Sequence, residues 1–250
     1  MRTIWQTGLV LVVLAAWGAP GASAQMHDGK ALVAAMHARY AQTWYRTVTF
    51  EEQAITRDPD GTHKTQTWWE ALIVPGKLAI HIGAPESTTG HLFNDNVLTS
   101  FRDGKIESTR PFVHMLLVLG FDVYRQPTET TIKECADQGF DLSKIHEDKW
   151  QGRDVYVVGA AKGDLKSRQF WIEKDRLLFV RLLQPDANAP AKMDDYRFGD
   201  YRRVTGGGWI AARVDFYVGG VDTFYEVYSN IRGNVKLDPA RFTTQGFIKH

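Results

Sequence analysis

Cysteine is nearly absent from this sequence: Cys135 is the only one in 250 residues. No disulfide can form within the chain, so the fold must be held by core burial. A lone thiol of this kind is read as a small buried hydrophobe on a helix. An excess of charge is missing too. The 30 basic and 29 acidic residues leave no electrostatic footprint for nucleic acid and no basic patch for acidic headgroups. No nucleic-acid partner is expected, and a hydrophobic ligand would be held by apolar surface.

Catalytic signatures are absent as well. The 8 histidines form neither His-x-x-x-His nor His-Glu-x-x-His, and no cysteine cluster exists, so no zinc site or other cofactor is expected. His114 is read as a satisfied buried imidazole. There is no Gly-x-Ser-x-Gly elbow. Gly206-Gly207-Gly208 lacks the Lys-Ser/Thr of a phosphate cradle and runs into a strand. The neighbouring carboxylates Glu51-Glu52 and Asp194-Asp195 diverge to opposite faces of a strand, so neither is a natural acid–base pair, and both are read as solvated charge. An enzyme is not expected.

Long apolar runs are confined to the N-terminus. Arg2 precedes an apolar stretch over residues 8–17, Gly18, Pro20 and Gly21 break it, and Ala22-Ser23-Ala24 fits a small-x-small cleavage site. Crossing a bilayer takes roughly 20 apolar residues, so residues 1–24 read as a cleaved signal peptide and no stable membrane anchor is expected. No cysteine follows the small residues for lipidation, and no Arg-Arg pair precedes the run. Residues 25–250 are expected to form a single soluble domain outside the cytoplasm.

What remains is mostly β. Asp28 can cap a helix reaching to about residue 45, with Leu32, Met36, Tyr40 and Trp44 near one face. From Thr47 the hydrophobic period drops to two. Asp58-Pro59-Asp60-Gly61, Asn94-Asp95, Asp103-Gly104 and Gly219-Gly220 mark tight turns, which make successive strands antiparallel neighbours. Pro111 is suited to open a helix over residues 111–121 that is apolar on nearly every side. A second short helix follows to Gly139, and residues 237–242 suggest a terminal edge strand. The expectation is a mainly β protein with helices: a curved antiparallel sheet of about 11 strands forming an incomplete barrel, capped by the N-terminal helix and a helical insertion.

A curled sheet with helices in its mouth leaves an imperfectly filled apolar space suited to a ligand. Adjacent strand residues point to opposite faces, so only one of Trp68/Trp69 and one of Phe170/Trp171 can face inward. The expected cavity lining is Trp69, Phe93, Trp171 and Phe179 from the sheet, with Phe112, Met115, Leu116 and Leu119 from the insertion.

The order of elements resembles the outer-membrane lipoprotein carrier family (LolA/LolB-like). The matching features are the exported N-terminal helix, the strand from Phe50-Glu51-Glu52-Gln53 to Asp60-Gly61, and Pro75-Gly76-Lys77-Leu78-Ala79-Ile80. Phe93-Asn94-Asp95-Asn96-Val97, Phe101-Arg102-Asp103-Gly104 and Phe170-Trp171-Ile172-Glu173 continue the pattern. The resemblance implies an incomplete barrel capped by helices and a periplasmic protein that shelters a lipid or lipoprotein acyl chains. An envelope protein partner is the other implication, because the same fold serves as a sensor module. Where the carriers often place a basic residue before the proline, this chain has Val74, so any lid latch must differ.

Overall fold

The computed structural model describes residues 26–249, so the expected signal peptide lies outside the described residues. Asp28 caps the first helix, α1 (Gly29–Tyr40), its carboxylate accepting the Ala31 N–H at 2.7 Å. Six strands follow: β1 (Thr47–Arg57), β2 (His63–Ile73), β3 (Lys77–Ile82), β4 (Gly90–Asn94), β5 (Val97–Arg102) and β6 (Lys105–Pro111). A helical passage carries α2 (Met115–Gly120), a single 3-10 turn at Asp122–Tyr124 and α3 (Thr128–Asp137). The second half returns through β7 (Ile145–Trp150), β8 (Arg153–Val158), β9 (Gln169–Glu173), β10 (Leu178–Pro185), β11 (Met193–Arg203), β12 (Trp209–Val218) and β13 (Val221–Gly233).

All 13 strands form one sheet in the order β6-β5-β4-β3-β2-β1-β13-β12-β11-β10-β9-β8-β7, antiparallel throughout and not closed into a barrel. Two meanders run outward from a central seam, where β1 pairs with β13 (Val48 opposite Gly233). Asp95-Asn96, Asp103-Gly104, Gln151-Gly152 and Gly219-Gly220 each have positive φ at both positions. That is the two-residue turn whose twist matches the flanking strands. Residues 112–144 connect one sheet edge, β6, to the other, β7. With α1 they fill the inner face, where Leu32, Met36, Leu119, Val123, Tyr124, Leu178 and Phe198 belong to one buried cluster. Cys135 lies fully buried on α3, and burial pushes its thiol up to about 12, which leaves it inert.

The structure departs from the sequence expectations at three places. Pro111 ends β6 instead of opening a helix. It pairs opposite Val97 on an edge strand that tolerates the missing N–H, and α2 begins only at Met115. Residues 237–242 are no strand: Asp238 caps a 3-10 turn (Pro239–Phe242), followed by a short helix α4 (Thr244–Lys249). Phe242 and Phe247 cover the outer face over Ala71, Ala79, Leu92 and Phe101. The described residues form 13 strands where about 11 are expected, and one that the sequence does not announce is edge strand β7, the polar Ile-His-Glu-Asp-Lys-Trp, which pairs with β8.

The expectation of solvated charge also fails for Asp194, Asp195 and Glu52, all of which are buried. On the outer face Arg181 grips Asp195 with Nε and Nη2 at 2.7 and 2.8 Å, and its guanidinium lies 4.1 Å from the Trp150 ring centre and 4.7 Å from that of Trp171. Burial raises the Asp195 pKa, but Arg181 and Arg197 outweigh it and hold the carboxylate below its ordinary value. Arg181→Ala strips a buried carboxylate of its best partner and is expected to cost about 3 kcal/mol, read from the urea midpoint. A change within about 0.5 kcal/mol would mean that Arg197 alone suffices.

Candidate functional site

The inner face is not packed solid. A cavity of about 210 Å³ lies between the sheet and α2, walled by apolar groups that include Phe50, Leu72, Leu78, Ile80, Phe93 and Leu117. A second space of about 300 Å³ lies against the same connecting segment, between Phe112, Met115, Leu182 and Tyr196. His114, Leu116 and Phe216 border both. Residues 112–117 therefore form a thin partition between two hollows, and moving them would merge the pair into a pocket of the size that binds small ligands.

The partition is tied most heavily at its C-terminal end. At its C-terminal side Tyr124 is buried, stacks on Trp44 with ring centres 3.8 Å apart, donates its hydroxyl hydrogen to Leu177 O at 3.3 Å and accepts the Phe179 N–H at 3.1 Å. Asp122 accepts the Gly76 N–H at 3.0 Å and Arg125 donates to Ala41 O at 2.5 Å. At its start, the Phe112 N–H reaches Asn96 O at 2.8 Å. His114 sits at the α2 N-cap position without a side-chain capping bond, its ring 4.7 Å from that of Phe93 and 5.7 Å from that of Phe112. Those apolar surroundings push its pKa down to about 4, so the imidazole is neutral. Val74 is buried in the inner core. This turn is tied to the insertion by the Gly76 N–H bond to the Asp122 side chain.

Three acids occupy the same inner face. In the β1 register Glu52 stands opposite Trp68 on β2 and Tyr228 on β13, with Glu70 opposite Phe50 and Glu226 opposite Ala54. Glu70 and Glu226 line the main cavity. Glu52 has no exposed surface, and neither carboxylate oxygen finds a hydrogen-bond donor. Burial, then repulsion from Glu226 and Glu70, drives its pKa far above the carboxylate range. Glu70 is pushed up to about 7 by burial, and Glu226 to about 8 by burial and the charge of Glu70. A proton on Glu52 turns it into a donor to Glu70. The Tyr228 hydroxyl donates to Glu226 Oε2 at 2.6 Å. Among the cavity's lining residues none is Lys or Arg, and burial lowers the pKa of His91.

The expected lining residues fall into three groups. Phe93 and Leu116 border the main cavity, and Phe112, Met115 and again Leu116 border the second. Leu119 and Phe179 are fully buried in the packed core, Phe179 against the Phe198 ring at 4.8 Å. Trp69 and Trp171 face the other side of the sheet. Trp171 joins an outer cluster with Val155, Val157 and Val180, while Trp69 borders a shallow depression with Thr49, Asn230 and Arg232. The inward members of the two pairs are Trp68 and Phe170, because register alone decides which neighbour points inward. Glu70 and Glu226 escape the sequence analysis, which treats Glu52 only as solvated charge. Their signal was a lone acid at the inward parity of three hydrophobic strands: Phe50-x-Glu52-x-Ala54, Trp68-x-Glu70-x-Leu72 and Phe224-x-Glu226-x-Tyr228.

Among the described residues no helix is long and apolar enough to cross a membrane, and no group of three acidic, His or Cys side chains is placed to hold a metal ion. No protein-family model matches this chain, and no curated protein matches it. Solved structures do. A DUF1329 family protein from Desulfovibrio piger aligns over 86% of this chain and 95% of its own, with 16% identity and a TM-score of 0.56. A LolA superfamily protein from Nitrosomonas europaea aligns over 84% and 97%, at 12% identity and a TM-score of 0.52. A domain from Vibrio parahaemolyticus described as an outer membrane lipoprotein-sorting protein aligns over 88% and 98%, at 15% identity and a TM-score of 0.55. None of these descriptions names an enzyme. With its unclosed antiparallel sheet and helices against the inner face, the chain has the LolA-type fold.

Proposed function

We propose that this protein is a periplasmic carrier that shelters a lipid, an acyl chain or another hydrophobic group on the inner face of its sheet, with residues 112–117 as the gate. The observation that supports this most directly is the pair of hollows, one mainly apolar and one of mixed lining that includes Arg168 and Gln184, divided by a partition that is anchored firmly at one end. The lipoprotein-sorting description of one structural neighbour agrees with it, as does an N-terminal segment with the features of a signal peptide. The mature chain would be a single domain from Gln25 onward, with no catalytic step.

A ligand held only by the native state raises its melting temperature by mass action. Gently purified protein is therefore expected to melt higher than delipidated protein, and native mass spectrometry should show a co-purifying lipid. N-phenylnaphthylamine, an uncharged probe that fluoresces in apolar surroundings, should bind the delipidated form. Leu116→Asp places a carboxylate where both hollows meet and should weaken the probe by about ten-fold or more while leaving the far-UV spectrum intact. Protein that carries no lipid and takes up no probe would retire the carrier reading.

A further inference from the structure

We propose that the polar end of the ligand is cationic: the main cavity accepts an aliphatic amine or amine-headed lipid, its chain against Leu72, Leu78 and Phe93 and its ammonium at Glu70 and Glu226, with the buried Glu52 behind them. This rests on the carrier reading and adds the sign of the head group.

Three observations converge on it. First, the cavity wall is electrically one-sided. Glu70 and Glu226 line it, no Lys or Arg does, and its two histidines, His91 and His114, both have lowered pKa values. An anionic head entering here would find no cation to neutralise it, and uncompensated charge in apolar surroundings is costly. Second, Glu52 is fully buried with both oxygens lacking a donor, and its neighbours Glu70 and Glu226 are acids too. A primary ammonium brings three donors and no acceptor, the complement of a cluster rich in acceptors. Third, the rest of the wall is apolar, which suits a hydrocarbon chain. The described residues provide no metal-holding group, so a small inorganic ion is not the better match.

The groups facing the cluster are Glu52 from β1, Glu70 from β2, His91 from β4, Glu226 and Tyr228 from β13, and His114 from the partition. An arriving ammonium replaces protons shared among the three acids, so binding releases protons to solvent.

The test is displacement of N-phenylnaphthylamine from the delipidated protein by dodecylamine, dodecanol and dodecanoate, each below its micelle concentration at about pH 8. A charge-assisted hydrogen bond is stronger than a neutral one, so dodecylamine should bind about ten-fold or more tighter than dodecanol, with dodecanoate weakest. Glu70→Gln and Glu226→Gln keep shape and should shrink the amine's advantage over dodecanol to about two-fold. Should a variant fail to fold, calorimetry of the unaltered protein in two buffers of different ionisation heat should still reveal proton release with dodecylamine and none with dodecanol. Equal displacement by the three chains, or an amine preference untouched in both variants, would overturn the cationic head and leave the carrier reading standing. If the probe itself never binds, both fall together.

Discussion

Tyr124→Ala is expected to lower the unfolding free energy by about 4 kcal/mol, within the range for deleting a buried aromatic. The side chain has no exposed surface. It stacks on Trp44, meets the Tyr40 ring edge-on at 5.3 Å, and ties the helical passage to Phe179 on β10 and to Leu177 just before it. Alanine loses the packing and leaves the Phe179 N–H without its acceptor. Tyr124→Phe isolates that second part and should cost about 1–2 kcal/mol. Urea denaturation of both variants gives the two figures. A Tyr124→Ala loss below about 1.5 kcal/mol would mean that the anchored end of the partition rearranges freely. The gate would then need a different account.

Glu52→Gln is expected to act in the opposite direction and to stabilise the protein at neutral and alkaline pH. An acid whose native pKa lies above its unfolded value binds more protons in the native state throughout the interval between the two, so stability falls as pH rises across it. For this cluster the interval opens near the ordinary carboxylate value of 4.5 and extends to about 7 for Glu70, about 8 for Glu226 and further for Glu52. The unaltered protein should therefore be steadily destabilised on going from about pH 5 to pH 8 by this cluster. Glutamine stays neutral at every pH and its amide can donate to Glu70. It should add about 2–3 kcal/mol at about pH 8 and close to nothing at about pH 4.5. Stability-against-pH curves of identical slope for the two proteins would show that the Glu52 carboxyl does not carry this burden.

Period-two patterning and turn chemistry made the sheet legible. Asp103-Gly104 and Gly219-Gly220 specify two hairpins by their turn chemistry, and Asp28 marks the start of α1. β7 stayed hidden because its polar residues form a strand only when β8 offers them a ladder. α4 stayed hidden because its two phenylalanines look unremarkable without the outer-face groove that receives them. The cavity was anticipated from architecture, but its lining was only partly readable. Trp68 and Trp69 are chemically equivalent neighbours, and their parity depends on a register set by distant turns. The glutamate cluster depends on the seam between β1 and β13. It brings Glu226 beside residues more than 150 positions earlier in the chain, a juxtaposition that no local pattern announces.

The position of that seam also bears on how the molecule assembles. The first strand made finds its second neighbour only when the last strand arrives, so a chain emerging from its N-terminus holds β1 as a bare edge through most of synthesis. Contacts of such long sequence separation form slowly, and unpaired edges invite association with other chains. The two meanders can each nucleate locally, with the central ladder zipping last. Truncation before Val221 should therefore leave two half-sheets whose open flanks at β1 and β12 aggregate, even though every residue of the first meander is present.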